Sequence, residues 1–237
     1  MARHMLLRKL CSVLALTALL LSLIVLPSSA LGEKRTLVFI GDSKTVGMDQ
    51  ALTDDTDWDL NKTDEFGVWS ARWGSMYDWF KATGLPQAEK SIGRNTSVLI
   101  LMGFNDIFHG PMSRTDDYVA LINKKAAKWK KRGADTYYVS VTPMGTSKTM
   151  DDFAEQDKLI RRWNRRMKNG LSEDVTYLDL YSQMMNNYRT IDTTHYDKPT
   201  YFRIYNLLVR RMNADHPDTH NSYAIPIYRF QDGKWAI

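Results

Sequence analysis

Thr36-Leu37-Val38-Phe39-Ile40-Gly41-Asp42-Ser43 is the stretch that decides the fold. A run of β-branched and apolar residues meets a glycine and then two polar residues, which is the pattern of a buried strand that stops at Gly41. Three more runs are similar. Ser97-Val98-Leu99-Ile100-Leu101-Met102 ends at Gly103, and Thr136-Tyr137-Tyr138-Val139-Ser140-Val141 ends before Pro143. Val175-Thr176-Tyr177-Leu178-Asp179-Leu180 is the fourth and the weakest. Their apolar character is nearly continuous rather than alternating, as expected of strands covered on both faces in a parallel sheet.

Between the runs the spacing turns helical. Tyr118, Leu121, Ile122, Lys125 and Trp129 share one face, with the Lys125 stem able to lie along apolar surface. Phe153, Ile160, Trp163 and Met167 share another. Tyr201, Ile204, Tyr205, Leu208 and Met212 give a third, opened by Pro199 near its first turn. Strands alternating with helices predict an α/β fold, a three-layer α/β/α sandwich with a mostly parallel central sheet. No repeat, low-complexity stretch or linker interrupts the chain, so residues 31–237 read as one domain. A sheet of this kind takes its ligands beyond the carboxyl ends of its strands.

Polar, reactive residues stand at those ends. Gly41-Asp42-Ser43 follows the first run and Gly103-Phe104-Asn105-Asp106 the second, while Asp192-Thr193-Thr194-His195 precedes the last helix. A serine hydroxyl is a weak nucleophile until a base takes its proton, and that base needs a third group to orient it. Here a serine, a histidine and a carboxylate lie where the fold would let them converge.

Gly-Asp-Ser after the first strand, Gly-x-Asn-Asp after a middle strand and Asp-x-x-His near the C-terminus resemble the sequence blocks of SGNH (GDSL-like) hydrolases. The remaining block is a glycine between the first and middle strands, placed at Gly74 in Trp73-Gly74-Ser75-Met76. The resemblance runs from residue 36 to about 212 and implies the flavodoxin-like SGNH hydrolase fold. It also implies a triad of Ser43, Asp192 and His195, with an oxyanion hole made by the N–H groups of Ser43 and Gly74 and the side chain of Asn105. Two residues depart from the usual blocks. Thr193 stands where Gly is common, and Lys44 follows the nucleophile position. The α/β-hydrolase elbow fits worse, because Thr45 takes the place of its second glycine, and the Ser-x-x-Lys pattern fails at Val46.

Each residue also has a plainer role available. Ser43 can cap the helix that follows, and His195 can be a core histidine. Asp42 and Asp106 read as braces for their turns, and His109, His216 and His220 as surface or loop residues rather than a metal site. Lys124-Lys125-Ala126-Ala127-Lys128-Trp129-Lys130-Lys131-Arg132 reads as a solvated helix face, with contact to an acidic surface polymer as the alternative. Trp58, Trp69, Trp73 and Trp79 leave core packing and a sugar platform both open, with core packing favoured and Trp73, which abuts Gly74, the best candidate for a site wall.

The chain has 237 residues and a formal charge of +5. Arg3, Arg8 and Lys9 precede an apolar run from Cys11 to Leu26, and small residues lead to Ala30. Residues 1–30 therefore read as a secretory signal peptide, or as an uncleaved anchor. Without them 29 basic residues face 27 acidic ones, a charge of +2 that gives no electrostatic reason for a nucleic-acid partner. The single cysteine lies in the signal, which excludes disulfides and a cysteine nucleophile from the mature chain. Export and resemblance together imply an extracytoplasmic serine esterase, secreted or at the cell surface, without cofactor or metal. Its expected partner is a small ester or O-acylated glycan, with membrane contact only through the signal. An O-acyltransferase and a catalytically silent surface-binding module are the alternatives. Tyr223–Phe230 reads as an extra edge strand, a flap or an attachment to a partner.

Overall fold

In strand β1 (Thr36–Gly41) every residue after Thr36 is buried, which is the covering on both faces that its composition predicts. The computed structural model describes residues 34–145, 150–185, 187–217, 229–231 and 234–236; the signal at 1–30 and residues 223–228 lie outside them. β1 is flanked by β3 (Val68–Arg72) and β4 (Thr96–Leu101), both parallel to it, with Gly41 level with Ala71 on one side and Leu101 on the other. β5 (Ala134–Val139) and β6 (Val175–Leu178) continue the parallel sheet. β2 (Asp59–Thr63) closes the other edge antiparallel to β3, giving the order β2-β3-β1-β4-β5-β6.

The strand period of two assigns the core to two layers. Val38, Ile40, Val98, Ile100 and Tyr138 face α3 (Arg114–Lys130), α4 (Met150–Gly170) and an irregular helical segment, residues 77–91, whose middle turn is a π-helix (Phe80–Gly84). Leu37, Phe39, Leu99, Tyr137 and Val139 face α1 (Ser43–Thr53) and α6 (Lys198–Asp215). The three-layer arrangement agrees with the fold class read from sequence. Tyr118, Ile122 and Trp129 of α3, Ile160, Trp163 and Met167 of α4, and the whole expected face of α6 are buried. On α3, Lys125 pairs with Glu89 at 2.9 Å and Lys130 with Asp174 at 2.6 Å, while Lys124, Lys128, Lys131 and Arg132 are exposed.

Three expectations shift. β5 stops at Val139, two residues before the expected end, because the Asn164 side chain brackets Val141. Its Oδ1 accepts from Val141 N at 2.9 Å and its Nδ2 donates to Val141 O at 2.8 Å, occupying the groups a ladder would use. β6 stops at Leu178 because Asp179 caps α5 (Leu180–Met184), accepting from Ser182 N. The β2–β3 hairpin had no apolar run to announce it. At the C-terminus Arg229–Gln231 (β7) pairs with Lys234–Ala236 (β8) in a separate ribbon rather than extending the sheet. Among the described residues no helix is long and apolar enough to cross a membrane, and no three metal-binding side chains come together.

The chain turns from β1 into α1 within one residue, and the turn packs Thr45 into the space that a side chain at Gly41 would take. A Cβ there would stand 1.8 Å from Thr45 Oγ1 and 2.5 Å from Thr45 Cβ. Gly41→Ala is expected to cost about 1–3 kcal/mol through this overpacking, read as a lowered urea midpoint at unchanged m-value.

Candidate active site

Asp42 is the N-cap of α1, and its Oδ1 accepts from Lys44 N at 3.0 Å. The capping job that Ser43 might have done therefore belongs to Asp42, and the Ser43 hydroxyl is left for other work. Its Oγ lies 3.0 Å from His195 Nε2, and His195 Nδ1 lies 2.8 Å from Asp192 Oδ2. The three side chains named from sequence form one hydrogen-bonded line.

The Asp-x-x-His spacing has a local cause. Asp192 Oδ1 accepts from Thr194 N at 2.5 Å and from His195 N at 2.6 Å, an Asx turn that folds the chain around the carboxylate. The other oxygen is then presented to the ring of the same turn. A bridge between Thr190 and Tyr196 and the bond from Ile191 N to His195 O (2.9 Å) close the loop at its base. Among the described residues the only non-glycine residues at positive φ are Asp54 and Asn95, so Thr193 fits the turn without strain. Partial burial would raise the Asp192 pKa, but the bonds from His195 N, His195 Nδ1 and Thr194 N outweigh it and hold the carboxyl below its ordinary range.

Gly74 is the third residue of a turn closed by Ser75 N on Arg72 O (3.2 Å). Its φ of +70° is the left-handed value that a type II turn asks of that position. The turn uses the N–H of Ser75, not that of Gly74. Asn105, in α2 (Phe104–His109), donates from Nδ2 to Ser75 O at 3.0 Å, which ties it to this turn and leaves the second N–H of its amide. Ser43 N, at the head of α1, has no intrahelical acceptor. Three N–H donors thus emerge from adjacent strand ends. Asp106 braces them from below, accepting from Tyr77 N at 3.1 Å and Tyr118 OH at 2.8 Å.

Sequence reasoning noted Lys44 only as a departure after the nucleophile and gave it no role. Its ammonium is buried, 3.0 Å from Thr142 Oγ1 and 3.3 Å each from Thr142 O, Pro143 O and Tyr196 OH, with the Phe104 ring 4.1 Å below. Tyr196 OH also donates to this segment, and Gly145 N donates to Thr193 O at 3.0 Å. Lys44 thereby joins the helix that carries Ser43 to the strap on which the Asp192–His195 loop rests. The available signal was positional, since Thr142 and Pro143 lie at the carboxyl end of β5. Trp73, expected as a wall, stacks on the His195 ring at 4.2 Å and 24°. Of the other tryptophans, Trp69 is core, Trp79 is half-buried against the core and Trp58 is exposed. His109 is exposed, and His216 Nε2 lies 3.0 Å from Tyr137 OH; His220 falls outside the described residues.

No protein-family model and no curated protein sequence matches this chain. Solved structures do resemble it. A candidate acylhydrolase from Bacteroides fragilis aligns over 81% of this chain and 97% of its own, at TM-score 0.58 and 18% identity. A GDSL-like lipase from Bacteroides thetaiotaomicron covers 76% and 89% at TM-score 0.55 and 17% identity. A variant of Axe2, an acetyl xylan esterase from Geobacillus stearothermophilus, covers 77% and 96% at TM-score 0.50 and 15% identity. The chain therefore shares the α/β fold of these proteins.

Burial lowers the Lys44 pKa from 10.5 to about 7, against the pull of Asp42 and Asp192, and burial raises Asp42 to about 6 against its bonds to Lys44. An unfolded chain keeps the lysine proton up to 10.5 while the folded chain releases it near 7, so Lys44 makes stability rise with pH across that window. Lys44→Met strands buried acceptors, at about 1–3 kcal/mol for each group left unsatisfied. Melting curves should show the variant below wild type throughout, with the gap widening from pH 7 to 10.

Proposed function

We propose that this chain is an extracytoplasmic carboxylic-ester hydrolase that works through an acyl-serine intermediate and removes a small acyl group, acetyl above all, from a glycan. The observation that carries the reading is the continuous line from Ser43 Oγ to His195 (3.0 Å) to Asp192 (2.8 Å) beside three donors free to hold an oxyanion. Ser43 Oγ attacks the ester carbonyl carbon as His195 Nε2 takes its proton. Asp192, kept ionised by its bonds, fixes the Nδ1–H tautomer and offsets the imidazolium charge. The carbonyl oxygen gathers negative charge between the N–H groups of Ser43 and Gly74 and the amide of Asn105. Collapse breaks the ester C–O bond, and the alcohol leaves with the proton from His195. Water, deprotonated by the same imidazole, then cleaves the acyl-serine, releasing the acid and restoring the hydroxyl.

Acetyl is preferred because Axe2, whose fold the chain shares, is named as an acetyl xylan esterase. The export reading rests on Arg3, Arg8, Lys9 and the apolar run up to Leu26.

Acetate release from acetylated xylan and aryl acetates is the direct test. Wild type is expected to turn over, and Ser43→Ala to abolish covalent turnover. Asn105→Ala should lower kcat by about 10²–10³, the usual effect of one lost oxyanion donor. A wild-type kcat in Asn105→Ala removes that side chain from the hole, and no hydrolysis across the panel removes the reading. Product analysis with an added sugar acceptor separates hydrolysis from acyl transfer on the same serine.

A further inference from the structure

We propose that Trp58 and Trp73 form the subsite for the sugar ring that bears the ester, on the alcohol side of the scissile bond; the inference rests on the esterase reading above. Trp58 precedes β2 and Trp73 follows β3, and Trp73 N donates to Trp58 O at 2.9 Å, one more rung of the hairpin ladder. That rung lies at the carboxyl end of β3, the strand beside β1, and hence beside Ser43. The rings flank the triad on the face of its imidazole. Trp73 stacks on His195 at 4.2 Å and 24°, and Trp58 meets Trp73 at 4.4 Å and 71°.

Both rings are open to solvent, Trp58 by 56% and Trp73 by 37%. With Ile191, 74% exposed on the His195 loop, they are the exposed large hydrophobics among the described residues. Trp69, Trp129 and Trp163 are by contrast fully buried. Exposed apolar surface beside a site marks a contact surface, and here Trp73 lies on the His195 ring with Trp58 against it, while Ile191 directly precedes Asp192.

The chemistry of the triad fixes which half of the substrate meets this surface. His195 Nε2 returns the proton to the departing oxygen, so the alcohol must lie against the imidazole, where Trp73 stacks on the ring and Trp58 stands against Trp73. An indole as open as that of Trp58 suits a ring with one C–H face and hydroxyls around its rim: the carbons cover the indole while the hydroxyls keep their water. A long aliphatic alcohol would need enclosure, which a ring more than half exposed does not supply. Trp58 is therefore a specificity residue that touches the ring and not the reacting atoms.

The test measures binding without turnover. Ser43→Ala protein is titrated with partially acetylated xylo-oligosaccharides, followed by tryptophan fluorescence and calorimetry. Adding Trp58→Ala should weaken binding by about tenfold, while adding Trp58→Tyr, which keeps an aromatic face, should hold it within about threefold. In the Ser43-intact enzyme, Trp58→Ala should lower kcat/KM for the acetylated sugar by about tenfold more than for ethyl acetate. Equal binding with and without Trp58, or an equal loss on ethyl acetate, overturns the subsite while leaving the esterase reading intact. An equal loss for cyclohexyl acetate, a ring without hydroxyls, overturns the carbohydrate in favour of an apolar alcohol. Sugar binding that depends on Trp58 in a protein that hydrolyses no acetate would sink the esterase reading and keep the sugar site.

Discussion

Gly41 stands level with Ala71 on one side and Leu101 on the other, and that parallel register decides where each reactive group emerges. Three neighbouring strands end together, so Ser43, the Gly74 turn and Asn105 arise at one edge although they are spread over 63 positions of sequence. Antiparallel pairing would send alternate ends to opposite edges and scatter them. The hydrophobic faces hold the register: a slip of one residue would exchange Val38 and Ile40 with Leu37 and Phe39 and set each against the wrong helical layer.

The histidine and the carboxylate come from no strand of that edge. They sit on a loop that must be carried to Ser43, and polar contacts do the carrying. Asp192 folds the loop about itself, while Tyr196, Gly145 and the buried Lys44 fasten it to the segment after β5. Burying a lysine is costly unless acceptors surround it, and Lys44 has four oxygens within 3.3 Å. Trp73 then covers one face of the imidazole. The nucleophile is held by backbone geometry and the base by side chains, so the two respond differently to substitution.

Much of this was legible in the residues. β1, β4 and β5 announced themselves because both faces are covered and the composition has to be apolar, and β6 was the weakest of the four runs because only Val175 and Leu178 are buried. β2 and β3 did not. Only Leu60 of β2 is buried, as expected of an edge strand, and the polar Ser70 in β3 is buried by bonding Gly84 O and Gln87 Oε1, a partnership made only in the folded chain. Ser43, Asp192 and His195 were legible as a set because the Asx turn leaves a fixed three-residue spacing and the other block follows a strand. Lys44 was not, since its partners lie 98 to 152 positions away. Trp73 stood out through its neighbour Gly74, whereas Trp58 could not be told from core tryptophans until the hairpin set it beside Trp73.

Reaction with an alkyl fluorophosphonate, located by peptide mass, tests most directly whether Ser43 is an activated hydroxyl. The account predicts a single adduct on Ser43, lost in His195→Ala and slowed in Asp192→Asn. An unlabelled wild type, or a label that persists unchanged without the imidazole, would contradict it.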